Sequence, residues 1–83
     1  MVLSELNGED IILCQITSQF VNDNYAIALD SSDFKNGSLN KPSNIRPNRL
    51  FSAEKSIIIR KVGAVVPEVF EKVADTICEI IRL

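Results

Sequence analysis

The sequence predicts an α+β domain, a small, curved, mostly antiparallel sheet closed by a C-terminal amphipathic helix. Three observations carry that prediction. Short β-branched runs alternate with turn residues through the first half, as in "VLS", "DIILCQIT" and "YAIALD". Pro67 then stands where a first helical residue belongs, and Phe70, Val73, Ala74, Ile77, Ile80 and Ile81 recur behind it at helical spacing. Finally, a chain of 83 residues makes one domain with a thin core, burying little more than about 60% of the surface its unfolded form exposes.

Each element follows from its residues. "VLS", residues 2–4, reads as the end of a strand, and Asn7-Gly8 is the pair that favours a tight hairpin. Residues 10–17 form the next strand, with Ile12, Cys14 and Ile16 on one face and Gln15 and Thr17, continued by Gln19, on the other. One face is apolar and the other is polar. "YAIALD", residues 25–30, completes a three-strand meander with Tyr25, Ile27 and Leu29 on a common face. Residues 31–44 collect Ser, Asn, Gly, Pro and Asp and read as a long surface loop, a kind that is uncommon unless it works. In "IRPNRLFS", Pro47 has no N–H to give a ladder and confines the strand to an edge or a bend. "KSIIIRKVGAVV", residues 55–66, reads as a stronger strand with a bulge or turn at Gly63. The closing helix places Glu68 and Glu71 at its positive end and Arg82 near its negative end.

Composition excludes several classes. No apolar run approaches the roughly 18 residues of a membrane span, and "MVLSELNGED" lacks the basic and apolar regions of a secretory signal, so a cytoplasmic chain is expected. There is no histidine, and no phosphate-loop or dinucleotide fingerprint is present. Neither a metal nor a cofactor is expected. Cys14 and Cys78 both lie in apolar patterns, where a reduced cysteine behaves as a small hydrophobe. The net charge of −2 hides a segregation: from Lys35 to Lys61 there are seven cations and the single acid Glu54, and the remaining two cations face ten acids. Such a basic stretch either attracts phosphates or forms a solvated face neutralised by its neighbours.

The ordered series "ITSQ", "SDF" and "LNKPSNIRPNRLFSAEKSIIIRKVG", followed by the helix, resembles the MazF/PemK-like toxin family over Val2 to Leu83. That resemblance implies a partial SH3-like barrel, commonly homodimeric, acting as the toxin of a type II toxin–antitoxin pair and cleaving single-stranded mRNA without metal. The family's usual first strand, flexible loop and "RPALVLS"-like segment are matched here by "VLS" alone. A single domain over residues 1–83, N-terminally shortened and without the arginine many members use in that segment, is therefore expected.

By the same resemblance, Thr17 of "ITSQ" matches the threonine of an "ITAQ"-like stretch, and Arg46 of "IRPN" matches the arginine of an "IRCD"-like stretch. These two are the candidate catalytic residues, with Gln19, Lys41, Ser43, Arg49 and Lys55 as candidate RNA contacts. Asn48 departs from the family's acid, and an amide cannot take the proton of a ribose 2′-hydroxyl as a carboxylate does. Arg46 offers charge to the phosphorane and Thr17 a hydrogen bond. Two local roles stand beside these: Thr17 satisfying a backbone group at a strand end, and Arg46 pairing with an acid. Phe20, Phe34 and Phe51 are either stacking platforms for bases or core. The expected partners are an antitoxin protein, single-stranded RNA and a second copy of the chain, with no membrane. The alternative function is a catalytically inactive module that binds nucleic acid or an antitoxin.

Overall fold

A computed structural model describes residues 1–58 and 62–82. Its strands are β1 (Val2–Glu5), β2 (Asp10–Thr17), β3 (Ile27–Leu29), β4 (Phe34–Gly37), β5 (Ser43–Glu54) and β6 (Gly63–Val65), and they are followed by helix α1 (Pro67–Ile81). β1, β2, β5 and β3 lie in that order in a curled antiparallel half-barrel, and β4 pairs with β6 in a second, two-stranded sheet. The α+β architecture expected from the sequence is the one observed. Gly8, at φ +80°, turns the β1–β2 hairpin at the Asn-Gly pair.

β5 differs most from expectation. It is a central strand of 12 residues, not an edge, flanked by β2 on one side and β3 on the other. Pro47 is accommodated by a bulge: Cys14 pairs with Leu50 and Gln15 with Arg46, leaving Pro47, Asn48 and Arg49 opposite no residue of β2. A proline there removes no ladder hydrogen bond, so the bend alternative is the one realised. The Cys14 thiol donates to the Arg46 carbonyl at 2.9 Å beside the bulge. Because β5 takes the place next to β2, β3 pairs with β5 and the expected meander stops at two strands.

Two further segments depart from expectation. Residues 31–44 are not one loop: Asp30 caps a 3₁₀ turn at Ser31–Asp33, and β4 follows it. Nor is 55–66 one strand, since Lys55–Ile57 forms a 3₁₀ turn and pairing is confined to β6, with 59–61 outside the described residues. β4 and β6 meet through glycine. A Cβ on Gly63 would lie 2.4 Å from the Asn36 carbonyl oxygen, and Gly37 holds φ +71° where the strands meet.

The core lies between the half-barrel and α1. Cys14, Ile27, Leu29, Ile45, Val69 and Val73 form it, with Ile16, Phe34 and Ile77 packed against them. The helix is rotated from the face read in the sequence: Val69, Val73 and Ile77 make the seam. Phe70, about 100° around the helix from Val69, instead lines an open apolar groove of about 870 Å³ with Val2, Leu13, Ile58 and Val65. Ile81 is exposed, as are Phe20 and Phe51, while Phe34 is half-buried. Cys78 is exposed, not a core hydrophobe as its pattern suggested, and both cysteines are free.

Candidate functional site

Antiparallel register decides which side chains can meet. Gln15 stands opposite Arg46 and Thr17 opposite Asn44, so these four share the polar face of the β2–β5 pair. On the reverse face, Cys14, Ile16 and Ile45 enter the core. The end of β2, apolar at Cys14 and Ile16 and polar at Gln15 and Thr17, therefore fixes both the packing and the direction in which Thr17 and Arg46 point.

Arg46 is held from two elements. Its Nη2 donates to Asp23 Oδ2 at 3.1 Å, and its Nη1 to Gln15 Oε1 at 3.5 Å. The Nε is buried and has no partner among the described residues. The Arg46 and Asp23 side chains keep only 20% and 22% of their surface exposed. Asp23 is anchored in turn, its Oδ1 accepting from the amides of Tyr25 at 2.9 Å and Ala26 at 2.8 Å. Partial burial raises the Asp23 pKa, but the hydrogen bonds from Arg46, Tyr25 and Ala26, together with the charge of Arg46, outweigh it and hold the carboxyl below its ordinary value.

Thr17 ends β2 with its Oγ1 accepting from the Gln19 amide at 3.1 Å, an ST-type turn that leaves the hydroxyl hydrogen available to donate. Both local roles weighed for Thr17 and Arg46 are thus present in the fold. Gln19 is exposed just beyond Thr17, and next to it Phe20 projects with 89% of its surface in solvent. Lys41 lies just before β5 at this same end, because Asn44 is the partner of Thr17. Arg49 and Asn48 are exposed on the bulge.

Two of the expected contacts lie elsewhere. Ser43 is buried, with its hydroxyl donating to the Lys41 carbonyl at 3.0 Å, so it supports the entry loop. Lys55 follows Glu54, the partner of Asp10 at the start of β2. It is therefore about a strand length from Thr17, roughly 23 Å at about 3.3 Å per residue, and it pairs with Glu5 at 3.4 Å. Among the described residues the basic stretch is not one patch, since Lys55 stands a strand length from Lys41 and Arg46. Gln15 lies on the Thr17 face, as the alternation predicts, and Asp23 is the member of the cluster that the sequence did not announce. The Asp in "VNDN" carried a turn signal, but nothing local announces a partner 23 positions away.

Among the described residues no group of three His, Cys, Asp or Glu side chains is placed to hold a metal ion, and no helix is long and apolar enough to cross a membrane. A family model described as the PemK-like, MazF-like toxin of type II toxin–antitoxin systems matches residues 1–81. No curated protein matches the chain.

Proposed function

The chain belongs to the PemK-like, MazF-like toxins of type II toxin–antitoxin systems, and from that premise we propose that it is an endoribonuclease cutting single-stranded mRNA through the face that carries Thr17 and Arg46. Membership implies an antitoxin partner. The observation that carries the cleavage reading is the half-buried guanidinium of Arg46 on the same strand face as Thr17. In RNA transesterification the ribose 2′-oxygen bonds to phosphorus as the bond to the 5′-oxygen breaks. Arg46 answers the charge that builds on the non-bridging oxygens, where fixed donors in a partly desolvated site act most strongly. The Thr17 hydroxyl adds a neutral donor. The 2′-hydroxyl proton passes to solvent and the 5′-oxygen takes one from it, since position 48 offers an amide. Gln19, Lys41 and Arg49 bind the strand's phosphates and edges around this centre, and Phe20 stacks on an unpaired base.

A second copy of the chain is the expected companion. β1 and β3 end the half-barrel with unpaired edges among the described residues, and such edges recruit other strands. Sedimentation at micromolar concentration tests this homodimer.

The decisive assay incubates the purified chain with a long single-stranded RNA in the presence of EDTA and maps the breaks beside Thr17→Ala and Arg46→Ala. Discrete breaks that weaken in both variants are expected. A second reading, binding without cleavage, is favoured by the amide at Asn48. RNA retained in a salt-dependent way, yet left uncut by the parent chain, establishes that reading and removes the first.

A further inference from the structure

We infer that Asp23 is a positioning residue that holds the Arg46 guanidinium in the orientation needed to meet a scissile phosphate, an inference that rests on the cleavage reading above. The geometry is specific. One oxygen of Asp23 is pinned by two backbone amides at 2.8 and 2.9 Å, so the other has a defined place, and that oxygen takes Nη2 of Arg46 at 3.1 Å. From the opposite strand Gln15 takes Nη1. A planar fork held by Asp23 at one terminal nitrogen, with Gln15 at 3.5 Å from the other, is restrained from turning about its long stem.

Counting donors shows what is left over. A guanidinium has five N–H groups. One on Nη1 and one on Nη2 are used, and the Nε–H is buried without a partner. That leaves a second N–H on each terminal nitrogen as donors for the oxygens of an incoming phosphate.

Asp23 itself is a poor proton acceptor. Three donors meet its carboxylate, two amides on one oxygen and a cation on the other, so its part is to orient and to balance charge. It supports Arg46 through the loop between β2 and β3, an element that carries neither candidate catalytic residue.

The test is a double-mutant cycle under single-turnover conditions, using the purified chain, single-stranded RNA and EDTA, with the parent, Asp23→Asn, Arg46→Ala and the double variant. Asparagine keeps an oxygen for the Tyr25 and Ala26 amides, so the loop retains its anchor. The expected result is a loss of about 10- to 100-fold in the cleavage rate at saturating RNA for Asp23→Asn, the scale of a misplaced group, with little change in the half-saturating RNA concentration. In the Arg46→Ala background the same substitution costs nothing further. Added guanidinium ion restores part of the rate of Arg46→Ala and none of the rate of the double variant, since Asp23 seats the ion. Asp23→Ser, whose hydroxyl also accepts from nearby amides, repeats the measurement should the asparagine variant melt early.

An unchanged rate in Asp23→Asn overturns the inference, as does a loss that persists without Arg46, which would make Asp23 an independent catalytic group. A faster Asp23→Asn overturns it in the opposite sense, because the ion pair would then compete with the phosphate. If the parent cuts no RNA, the cleavage reading itself fails and takes this inference with it. The parent's rate alone separates that failure from the others.

Discussion

The β2–β5 ladder carries an ion pair at each end, and the two are built differently. At one end Arg46 and Asp23 meet at 3.1 Å with about a fifth of each side chain exposed, and two backbone amides and Gln15 brace them. At the other end Lys55 and Glu5 meet at 3.4 Å with 40% and 68% exposed, and Glu5 has no further side-chain hydrogen bond among the described residues. The same charge types are present in both. Only the first pair is desolvated and braced enough for its geometry to matter, because an exposed pair gives up in side-chain entropy most of what it gains in attraction. A basic stretch read along a sequence therefore says little until each charge is assigned its depth and its partners.

Deleting each cation in turn and reading cleavage should separate the two pairs most widely. Arg46→Ala is expected to lower the rate on single-stranded RNA by about 10²- to 10³-fold, the range for one fixed donor at a developing anion. Lys55→Ala is expected to leave the bond-breaking rate unchanged within about twofold at saturating RNA, because its ammonium lies a strand length away. Equal losses in both would mean that bulk positive charge, not geometry, drives the reaction.

Shaving the support beneath Arg46 comes next. Ile45 is fully buried on the reverse face of the same strand and pairs with Ile27. Ile45→Val should cost about 0.5–1.5 kcal/mol of stability in a urea melt. Its cleavage rate at a temperature where the variant remains folded should stay near that of the parent.

Acid acts on the braced pair through its carboxylate. Asp23 has a folded pKa below its ordinary value of 3.8, so its contribution to stability is fully present above that value and is lost as pH falls through the lower folded value. Asp30, which caps the Ser31–Asp33 turn by accepting from the Ser32 hydroxyl and amide, is lowered in the same direction. Thermal melts taken downward from pH 5 should show a declining melting temperature whose slope is shallower in Asp23→Asn and in Asp30→Asn. A slope identical to that of the parent in both variants would remove these carboxylates from the acid transition.

The smallest effect belongs to the far pair. Lys55→Ala should change stability by no more than about 0.5 kcal/mol, and raising the salt concentration should shrink even that. A penalty well above this would show that the Lys55–Glu5 pair is organised beyond what its exposure suggests.

Local patterns were enough for much of this. Asn7-Gly8 determined the first hairpin, the alternation of Cys14, Gln15, Ile16 and Thr17 determined which side of the end of β2 is polar, though earlier in the strand it is Ile11 and not Ile12 that is fully buried, and Pro67 determined the start of the helix. The order of residues also carried the resemblance that the family match bears out over residues 1–81. These are short-range signals, set by backbone sterics, by the two-residue period of a strand and by the missing N–H of proline.

Tertiary structure alone decided the rest. Whether Pro47 sits on an edge or in a central bulge depended on β3 crossing to pair with β5, which no residue near Pro47 records. The helix turned its Val69–Val73 seam inward because the core it meets is set by Ile27, Leu29 and Ile45 from distant strands. Asp23 reaches Arg46 only because a loop folds back over the β2–β5 pair. Contacts between residues far apart in the chain are fixed by the shape of the whole fold and by the burial it imposes, and a side chain's depth and partners do not exist until that fold has formed.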